Sequence, residues 1–321
     1  MKSDANKLIV SIVVPFLNEE GNLEELYLRI TRVLENIDYE FELILIDDGS
    51  TDCSLKVAED LRRKDPRVKI LSFTRNFGHQ IALSAGLEHA EGDAIIMMDS
   101  DLQHPPEIIP KLIKKWQEGF ENVYTIRKDA KNVSFFKRFG TIVFYNLFRV
   151  LAKADLPINS ADFRLLDRKI VLSLRSIKER NRFLRGIINW TGSRSIGIEY
   201  EEAERFSGKI KYNFMKMLFL ALDAITSFST IPLYVGIFIG MIFAFLGFTY
   251  FSYVLYLYVF KHTVITGWSS VVSLIAIMGG IQLIVTGLVG VYIGKIFQEV
   301  KQRPLYLIRY SEGFNDKIFN R

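Results

Sequence analysis

The sequence predicts an α/β domain with a mostly parallel sheet, followed by a hairpin of two membrane-spanning helices. Before about residue 200, short apolar and β-branched runs alternate with segments of helical periodicity, which is the pattern of repeated β-α units. Polar clusters follow three of these runs. The apolar excess behind a mean hydropathy of +0.16 is concentrated after about Phe214, where two long runs contain no charged residue.

The expected β-α units can be followed along the chain. Each strand is nearly continuous in apolar residues, as strands covered on both faces are. We predict strands at 8–14, 41–46, 68–73 and 94–98, and helices after the first three of them, ending at about 37, 64 and 89. Such units form a right-handed parallel sheet with helices on both faces.

Polar residues collect at one edge of this predicted sheet. Ligands of such sheets bind beyond the carboxyl ends of the strands. The polar clusters there are Pro15/Asn18/Glu19 after the first strand, Asp47/Asp48 after the second and Asp99/Asp101 after the fourth. Three clusters at one edge predict a binding site there.

Asp99 and Asp101 follow the fourth strand at a spacing of two residues. If extended geometry continues, their side chains and that of Gln103 project to one side. Oxygen ligands without thiol or imidazole suit a hard cation such as Mg²⁺ or Mn²⁺ shared with substrate phosphates. Alternatively, one acid caps the following helix and the other is solvated.

The sequence lacks the two standard phosphate-binding loops. No Gly-x-Gly-x-x-Gly follows the first strand, and no Walker-type Gly-Lys-Ser/Thr occurs. A divalent cation at the aspartates would neutralise a pyrophosphate instead. Asp47 or Asp48 suits a base N–H or a ribose hydroxyl, because an ionised carboxylate only accepts hydrogen bonds. Helix capping is the alternative for Asp48 and Asp52.

The composition excludes several kinds of site and favours some ligands over others. The net charge is +5, and the basic residues bunch before the apolar region and in the tail, which favours an anionic membrane or phosphate ligands over nucleic acid. Cys53 is the one cysteine, so an internal disulfide is excluded. The four histidines show no zinc spacing, and no signal peptide is expected at the start.

The runs 13–20, 47–52, 74–86 and 92–107 resemble those of family 2 glycosyltransferases, most closely the branch that acts on polyprenyl phosphates, with its dolichol-phosphate mannose synthases and bactoprenol glucosyltransferases. The resemblance covers nearly the whole chain. It implies a GT-A type α/β domain. It also implies a nucleotide-sugar pocket and a metal site. The pocket residues would be Pro15, Asn18, Glu19, Asp47, Asp99 and Arg127, the last of which follows a strand at 123–126, and the metal ligands would be Asp99, Asp101 and Gln103.

The segment 159–168 resembles the family's Gly-Asp-Phe-Arg-Leu motif, with Ala161 where glycine is usual. Asp162 then takes the position of the family's catalytic base, beside Asp101 as the second catalytic residue. A phosphate monoester acceptor has its second pKa near 6, so most of it is a dianion at neutral pH. We therefore expect Asp162 chiefly to orient the nucleophile or its cation partners, with proton removal a minor share.

A basic loop precedes the apolar region. The family pattern Arg-x-x-Gly-x-Ser-Lys-Tyr is kept except for Ile210 in place of serine. Cations on a glycine-containing loop suit capture of a lipid phosphate, and the residues expected to do so are Arg205, Lys209, Lys211 and Tyr212. A positive flank that only sets membrane orientation is the alternative.

The predicted domains are a cytosolic GT-A domain at 1–212, an interfacial amphipathic helix at 213–229, a transmembrane hairpin at 230–296 and a cytosolic tail at 297–321. Both uncharged runs, 231–260 and 263–294, exceed the roughly 20 residues that a membrane helix needs. Basic residues flank the hairpin on both sides, so the positive-inside rule places both termini in the cytoplasm. Gly236/Gly240 and Gly290/Gly294 have a spacing that allows packing within or between protomers. The aromatic segment 135–151 fits core packing or a lipid-facing surface.

These observations predict an integral membrane enzyme that transfers a hexose, glucose by the resemblance, from a nucleotide sugar such as UDP-glucose to polyprenyl phosphate. Transfer would invert the configuration at the anomeric carbon of the sugar and would require Mg²⁺ or Mn²⁺. Its partners would be these two substrates, the membrane, a second copy of the chain and a flippase, with no nucleic acid. The alternatives are a processive polysaccharide synthase and a non-catalytic scaffold associated with a flippase.

Overall fold

The structure of the chain is a computed structural model, which describes residues 8–128, 160–180, 182–201, 226, 230–261 and 267–314. The described residues divide between two compact units. The first belongs to residues 1–212 together with 303–321, and the second to residues 213–302.

The first unit is built on a mixed, mostly apolar sheet. Among the described residues, the sheet has eight strands in the order β7-β5-β6-β4-β1-β2-β3-β8. The strands are β1 Ile9–Phe16, β2 Glu40–Asp47, β3 Val68–Phe73, β4 Ala94–Met97, β5 Asn122–Arg127, β6 Ser160–Asp167, β7 Ser195–Tyr200 and β8 Ile308–Glu312. β1 pairs in parallel with β2 and β4, and β2 with β3, whereas β6 and β8 run antiparallel to their neighbours.

Helices connect these strands and pack on the sheet. In the first unit the described α-helices are α1 Leu23–Leu34, α2 Ser54–Lys64, α3 His79–His89, α4 Ile109–Gln117, α5 Arg168–Ser176 and α6 Leu184–Trp190. Apolar positions of α1, α2 and α4 lie in the same buried core as the strand residues. The predicted α/β fold with a mostly parallel sheet is confirmed, and β3 and α3 have the bounds that the pattern predicted.

The strands that the sequence analysis did not anticipate are β6, β7 and β8. β6 carries ionisable residues on buried positions, so its sequence lacks the apolar run of the others. β7 lies at one edge of the sheet and is only partly buried. β8 belongs to the segment predicted as a tail. It pairs with β3 and so forms the opposite edge of the sheet.

The second unit contains two long apolar helices, α7 Ile231–Tyr256 and α8 Trp268–Val300. α7 and the part of α8 from Ile277 to Val300 have mean hydropathies of 2.3 and 1.8, and almost none of either is buried inside the protein. At 1.5 Å per residue, α7 is about 39 Å long, more than the roughly 30 Å hydrocarbon core of a bilayer. Both helices are thus long and apolar enough to cross a membrane.

One of the four glycines singled out above lies at a close approach of these two helices. A methyl group added at Gly236 would lie 3.5 Å from Val285 of α8. At Gly240, Gly290 and Gly294, an added methyl group would have no neighbour within 4 Å in the described part of the chain. Within the described residues, Gly236 is therefore the one of these four glycines at which the small-residue spacing contributes to packing between the two helices.

Candidate active site

A cleft of about 400 Å³ opens at the carboxyl ends of β1, β2 and β4. It lies at the edge of the sheet where the sequence predicted a site. Four of the predicted residues line it, namely Pro15, Glu19, Asp99 and Asp101. Asp48 and His79 line it as well, so the cleft is rich in ionisable groups.

Asp99 and Asp101 reach this cleft by a turn and not by continued strand geometry. β4 ends at Met97, and Leu102 has a φ of 62°, in the left-handed region. The Asp101 Oδ1 atom accepts a hydrogen bond of 3.1 Å from the Gln103 N–H, which tightens the turn. Because the alternation of an extended strand ends here, the condition for Gln103 to project beside the two aspartates is not met.

The position of Asp99 is fixed by two imidazoles. Its Oδ1 atom lies 2.8 Å from Nε2 of His79, and its backbone N–H donates to Nδ1 of His104 at 3.0 Å. His104 is fully buried and stacks on Phe163 with ring centroids 5.2 Å apart. Burial lowers the pKa of His104, so its ring is neutral and Nδ1 serves as an acceptor. His104 therefore holds the backbone that presents Asp99.

Asn18 and Glu19 shape the loop that follows β1. Asn18 has a φ of 57°, and its side-chain oxygen accepts the Thr51 N–H at 2.8 Å. The Glu19 N–H donates to the Ser54 hydroxyl at 2.7 Å. These bonds join the loop after β1 to the loop after β2, and they place Glu19 at the cleft.

The neighbours Asp47 and Asp48 differ in position. Asp47 is buried, and its two oxygens accept from the Ser50 N–H at 2.8 Å and the Ser72 hydroxyl at 2.7 Å. Asp48 lines the cleft, and its carboxylate accepts the Phe77 N–H at 2.7 Å. Burial raises the pKa of Asp48. Of the two candidates, the structure thus brings Asp48 to the cleft surface, whereas Asp47, which the resemblance implies, is buried.

Asp162 lies on β6 in a dense cluster of polar groups. Its carboxylate receives two bonds from Arg185, with Nε at 2.6 Å and a terminal nitrogen at 2.9 Å, and a third from the Gln80 amide at 3.2 Å. Burial opposes ionisation of Asp162, but the Arg185 hydrogen bonds and the charges of Arg185 and Arg164 hold its pKa well below the usual range. Asp162 is therefore a stable carboxylate and a weak base.

Arg164 lies two residues further on β6 and is almost completely buried. It donates to the Ala161 carbonyl at 3.0 Å, while its Nε has no hydrogen-bond partner in the described part of the chain. Burial lowers its pKa to about 10, which leaves it charged at neutral pH. Arg164 therefore carries a positive charge near Asp162 at neutral pH.

Arg127 ends β5, where its Nε donates to the Tyr200 hydroxyl at 3.2 Å. The remaining predicted site residues, Arg205, Lys209, Lys211 and Tyr212, lie outside the residues that the structure describes. So do segment 135–151 and all of segment 213–229 except Thr226. Their predicted roles stay predictions.

Several residues of this site were not predicted from the sequence. His79, Gln80, His104, Arg164 and Arg185 all contact or surround the predicted carboxylates. His79 and Gln80 stand directly after Gly78 inside run 74–86, which was singled out for its resemblance, so a signal was present. For Arg185, 23 positions from Asp162, the sequence offers no comparable signal.

The donor set fits a divalent cation shared with a substrate. Among the described residues, no three His, Cys, Asp or Glu side chains are grouped to hold a metal by themselves. Asp99 and Asp101 nevertheless share one cleft. Mg²⁺ is commonly bound by one or two carboxylates, with waters and substrate phosphates in the remaining positions. Two carboxylates suffice for such a site.

Comparison with known proteins gives consistent matches. Residues 11–174 match the family model described as "Glycosyl transferase family 2". An uncharacterized glycosyltransferase of Bacillus subtilis strain 168, YkcC, is 43% identical over 97% of this chain and 96% of its own length. A prophage-derived bactoprenol glucosyl transferase of Shigella flexneri is 41% identical over 95% of this chain and 99% of its own length. Among solved structures, glucosyl-3-phosphoglycerate synthase from Mycobacterium tuberculosis has a TM-score of 0.49 at 18% identity, covering 70% of this chain and 79% of its own.

Proposed function

Because the chain belongs to glycosyl transferase family 2, we propose that it transfers a hexose, glucose from UDP-glucose, to a polyprenyl phosphate at the cytosolic face of a membrane. The observation that carries the proposal is the convergence of Asp99 and Asp101 in one cleft at the carboxyl ends of the parallel strands. The Shigella flexneri relative, named for glucosyl transfer to bactoprenol, supports both the sugar and the lipid class.

The cation of this proposal would be Mg²⁺ or Mn²⁺ held by Asp99 and Asp101. When bound there, it would neutralise the charge that develops on the departing nucleoside diphosphate. Glu19 and Asp48 lie in the same cleft and would accept hydrogen bonds from hydroxyl and N–H groups of the nucleotide or the sugar. Gln103 as a further metal ligand, and Asn18, Asp47 and Arg127 as nucleotide contacts, stay predictions.

The reaction is a single displacement at the anomeric carbon. An oxygen of the polyprenyl phosphate forms the new bond to C1 on the face opposite the diphosphate. The bond from C1 to the diphosphate oxygen breaks, and its electron pair leaves with the nucleoside diphosphate. The product is therefore an inverted glycosyl phosphate lipid, and the acceptor dianion needs no strong base.

Asp162 has the properties of an orienting residue in this scheme. Arg185 and Arg164 keep it ionised, and the partly exposed Arg185 is proposed to meet the acceptor phosphate. The basic residues Arg205, Lys209 and Lys211, with Tyr212, are proposed to capture the same phosphate from the lipid side.

The membrane part of the proposal rests on α7 and α8, which have the length and hydropathy of spanning helices. Basic residues before α7 and after α8 favour a topology with both termini in the cytoplasm. A second copy of the chain and a flippase stay predicted partners.

The deciding experiment presents the purified full chain, in lipid nanodiscs, with undecaprenyl phosphate and a panel of radiolabelled UDP- and GDP-sugars. We expect lipid-soluble label from UDP-glucose, of inverted anomeric configuration, in the presence of Mg²⁺ or Mn²⁺ and none after chelation. Growth of a polymer would favour a polysaccharide synthase. No transfer from any donor would favour the scaffold alternative.

A second experiment addresses acceptor recognition. Binding of polyprenyl phosphate and of the corresponding neutral alcohol is compared in Arg205→Ala and Lys211→Ala. Loss of binding of the phosphate alone supports phosphate capture by these residues. Equal losses for both lipids contradict it and leave them the role of a positive membrane flank.

A further inference from the structure

The first two residues of α3 contact two different carboxylates of the site. His79 lies 2.8 Å from the carboxylate of Asp99, a proposed metal ligand. Gln80, the next residue, donates through its amide nitrogen to the Asp162 carboxylate at 3.2 Å. Two consecutive residues at the start of α3 thus connect Asp99, a proposed metal ligand, with Asp162.

Gln80 uses both ends of its amide. Its oxygen accepts the backbone N–H of Leu184 at 3.2 Å, while its nitrogen donates to Asp162. Leu184 begins α6 and immediately precedes Arg185, the partner of Asp162. The single side chain therefore joins three elements, α3, β6 and α6, around the Asp162–Arg185 ion pair.

These two bonds have opposite polarity, and at neutral pH an amide of this length supplies both the donor and the acceptor. A glutamate would accept from Leu184 and would also face the Asp162 carboxylate with a second negative charge. Asp162 and Arg185 form an ion pair with two parallel hydrogen bonds. The third bond from Gln80 fixes its orientation relative to α3, and therefore relative to His79 and Asp99.

We propose that Gln80 is a positioning residue for the transfer step, which orients the Asp162–Arg185 pair toward the acceptor phosphate and in register with Asp99. This inference rests on the proposed function. It follows that Gln80 acts on the acceptor and on turnover, and not on binding of the nucleotide sugar. Misplacement of a reacting group by about 1 Å costs on the order of 100-fold in rate.

The test compares Gln80→Glu, which has nearly the same shape, with Gln117→Glu as a matched control. Gln117 is exposed on α4 and its amide contacts the Tyr39 hydroxyl, away from the cleft. With the full chain in nanodiscs, UDP-glucose and undecaprenyl phosphate, we expect Gln80→Glu to lower kcat by about tenfold or more, the effect of a lost hydrogen bond to a charged group. The KM for the lipid should rise, while the Kd for UDP-glucose should stay within about twofold. The control should match the wild type.

A pH profile separates positioning from a merely structural role. As the pH falls, the introduced carboxyl group becomes protonated, and its O–H can donate to Asp162 again. The ratio of the Gln80→Glu rate to the wild-type rate should therefore rise toward one on acidification. In Gln80→Met, which fills similar space without a polar group, the ratio should stay low at every pH.

The outcomes are distinct. An inactive wild type overturns the proposed function, and with it this inference. An active wild type with unchanged kcat and lipid KM in Gln80→Glu overturns the inference alone. A parallel loss of UDP-glucose binding in Gln80→Glu also overturns it, and so does a ratio of the Gln80→Glu rate to the wild-type rate that does not depend on pH. Either result indicates general damage to the fold. If Gln80→Glu does not fold, Gln80→Met, which introduces no charge, still provides the measurements of kcat, of the KM for the lipid and of the Kd for UDP-glucose.

Discussion

Arg185 holds the Asp162 carboxylate by two parallel hydrogen bonds, Nε to Oδ1 at 2.6 Å and a terminal nitrogen to Oδ2 at 2.9 Å. Asp162 is nearly buried, whereas the Arg185 side chain is 32% exposed. The carboxylate that we predicted to take the position of the family's catalytic base is thus paired with an arginine. This pairing changes what Asp162 can contribute to the chemistry.

The first prediction concerns the pH–rate profile of Asp162→Asn. Because Arg185 keeps the pKa of Asp162 far below neutral pH, proton transfer to it is unfavourable. We expect the variant to lose activity by a similar factor, about 100-fold, across the whole accessible pH range. A loss confined to low pH, where the acceptor carries a proton, would instead assign Asp162 the role of a base.

The second prediction concerns stability. Folding lowers the pKa of Asp162, so its contribution is fully present above its unfolded value of about 3.9 and is lost as the pH falls through its lower folded value. Arg185→Ala should lower the free energy of unfolding by about 3 kcal/mol at pH 7, since it leaves a buried charge unpaired. The difference from wild type should shrink below about pH 4. Denaturant unfolding of the full chain in detergent, monitored by tryptophan fluorescence, measures the free energy of unfolding of the wild type and the variant at each pH. A difference that does not change with pH would contradict this assignment.

The third prediction concerns the metal. Asp101→Asn should raise the Mg²⁺ concentration needed for half-maximal transfer by about tenfold or more, because one of two anionic ligands is replaced by a neutral one. The control is Asp60→Asn, on the exposed face of α2, where Asp60 pairs with Arg63. Titration of activity with Mg²⁺ in both variants measures the effect. An unchanged requirement in Asp101→Asn would exclude Asp101 as a ligand.

The fourth prediction concerns His104, whose neutral Nδ1 accepts the Asp99 N–H. His104→Phe keeps a ring against Phe163 but leaves this buried N–H without an acceptor, at a cost of about 1–3 kcal/mol. We expect lower activity and a higher Mg²⁺ requirement. His104→Asn, whose side-chain oxygen can take the place of Nδ1, should retain more activity than His104→Phe. Equal activities of the two variants would show that the hydrogen bond is unimportant.

The fifth prediction concerns the segment after α8. Tyr306 stacks on Phe73 of β3 with ring centroids 4.9 Å apart, and its hydroxyl donates to Glu88 at 2.8 Å. Tyr306→Phe should cost about 1 kcal/mol of stability, and Tyr306→Ala about 2–3 kcal/mol, because only alanine removes the stacked ring. Thermal unfolding of the full chain tests the order of the two variants. Equal losses would mean that the stacked ring contributes nothing.

Much of the fold was predictable because its signals are local. Buried parallel strands appear as apolar runs, and β3 and α3 appeared with their observed bounds. The GT-A type domain, the assignment to family 2 and the glycosyltransferase activity expected from the resemblance are confirmed by the family match and by the relatives. The edge strand β8 was missed because its pairing with β3 joins residues more than 230 positions apart.

The site was predictable in part. The positions of Asp99 and Asp101 follow from a strand end, which the sequence marks. The turn at Leu102, which breaks the alternation before Gln103, has no clear sequence signal, since left-handed backbone at leucine is unusual. Nor did the sequence decide which of Asp47 and Asp48 faces the cleft, because adjacent residues at a strand end point to opposite sides.

The sequence by itself determined the β-α order, the two apolar helices and the carboxylates at the strand ends, because periodicity and strand termini depend on neighbouring residues only. The tertiary structure alone decided that Arg185 neutralises Asp162, that Gln80 bridges α3, β6 and α6, and that the chain after α8 completes the sheet. Those contacts join residues that are 23 to more than 230 positions apart, and only the packing of the whole domain brings such residues together.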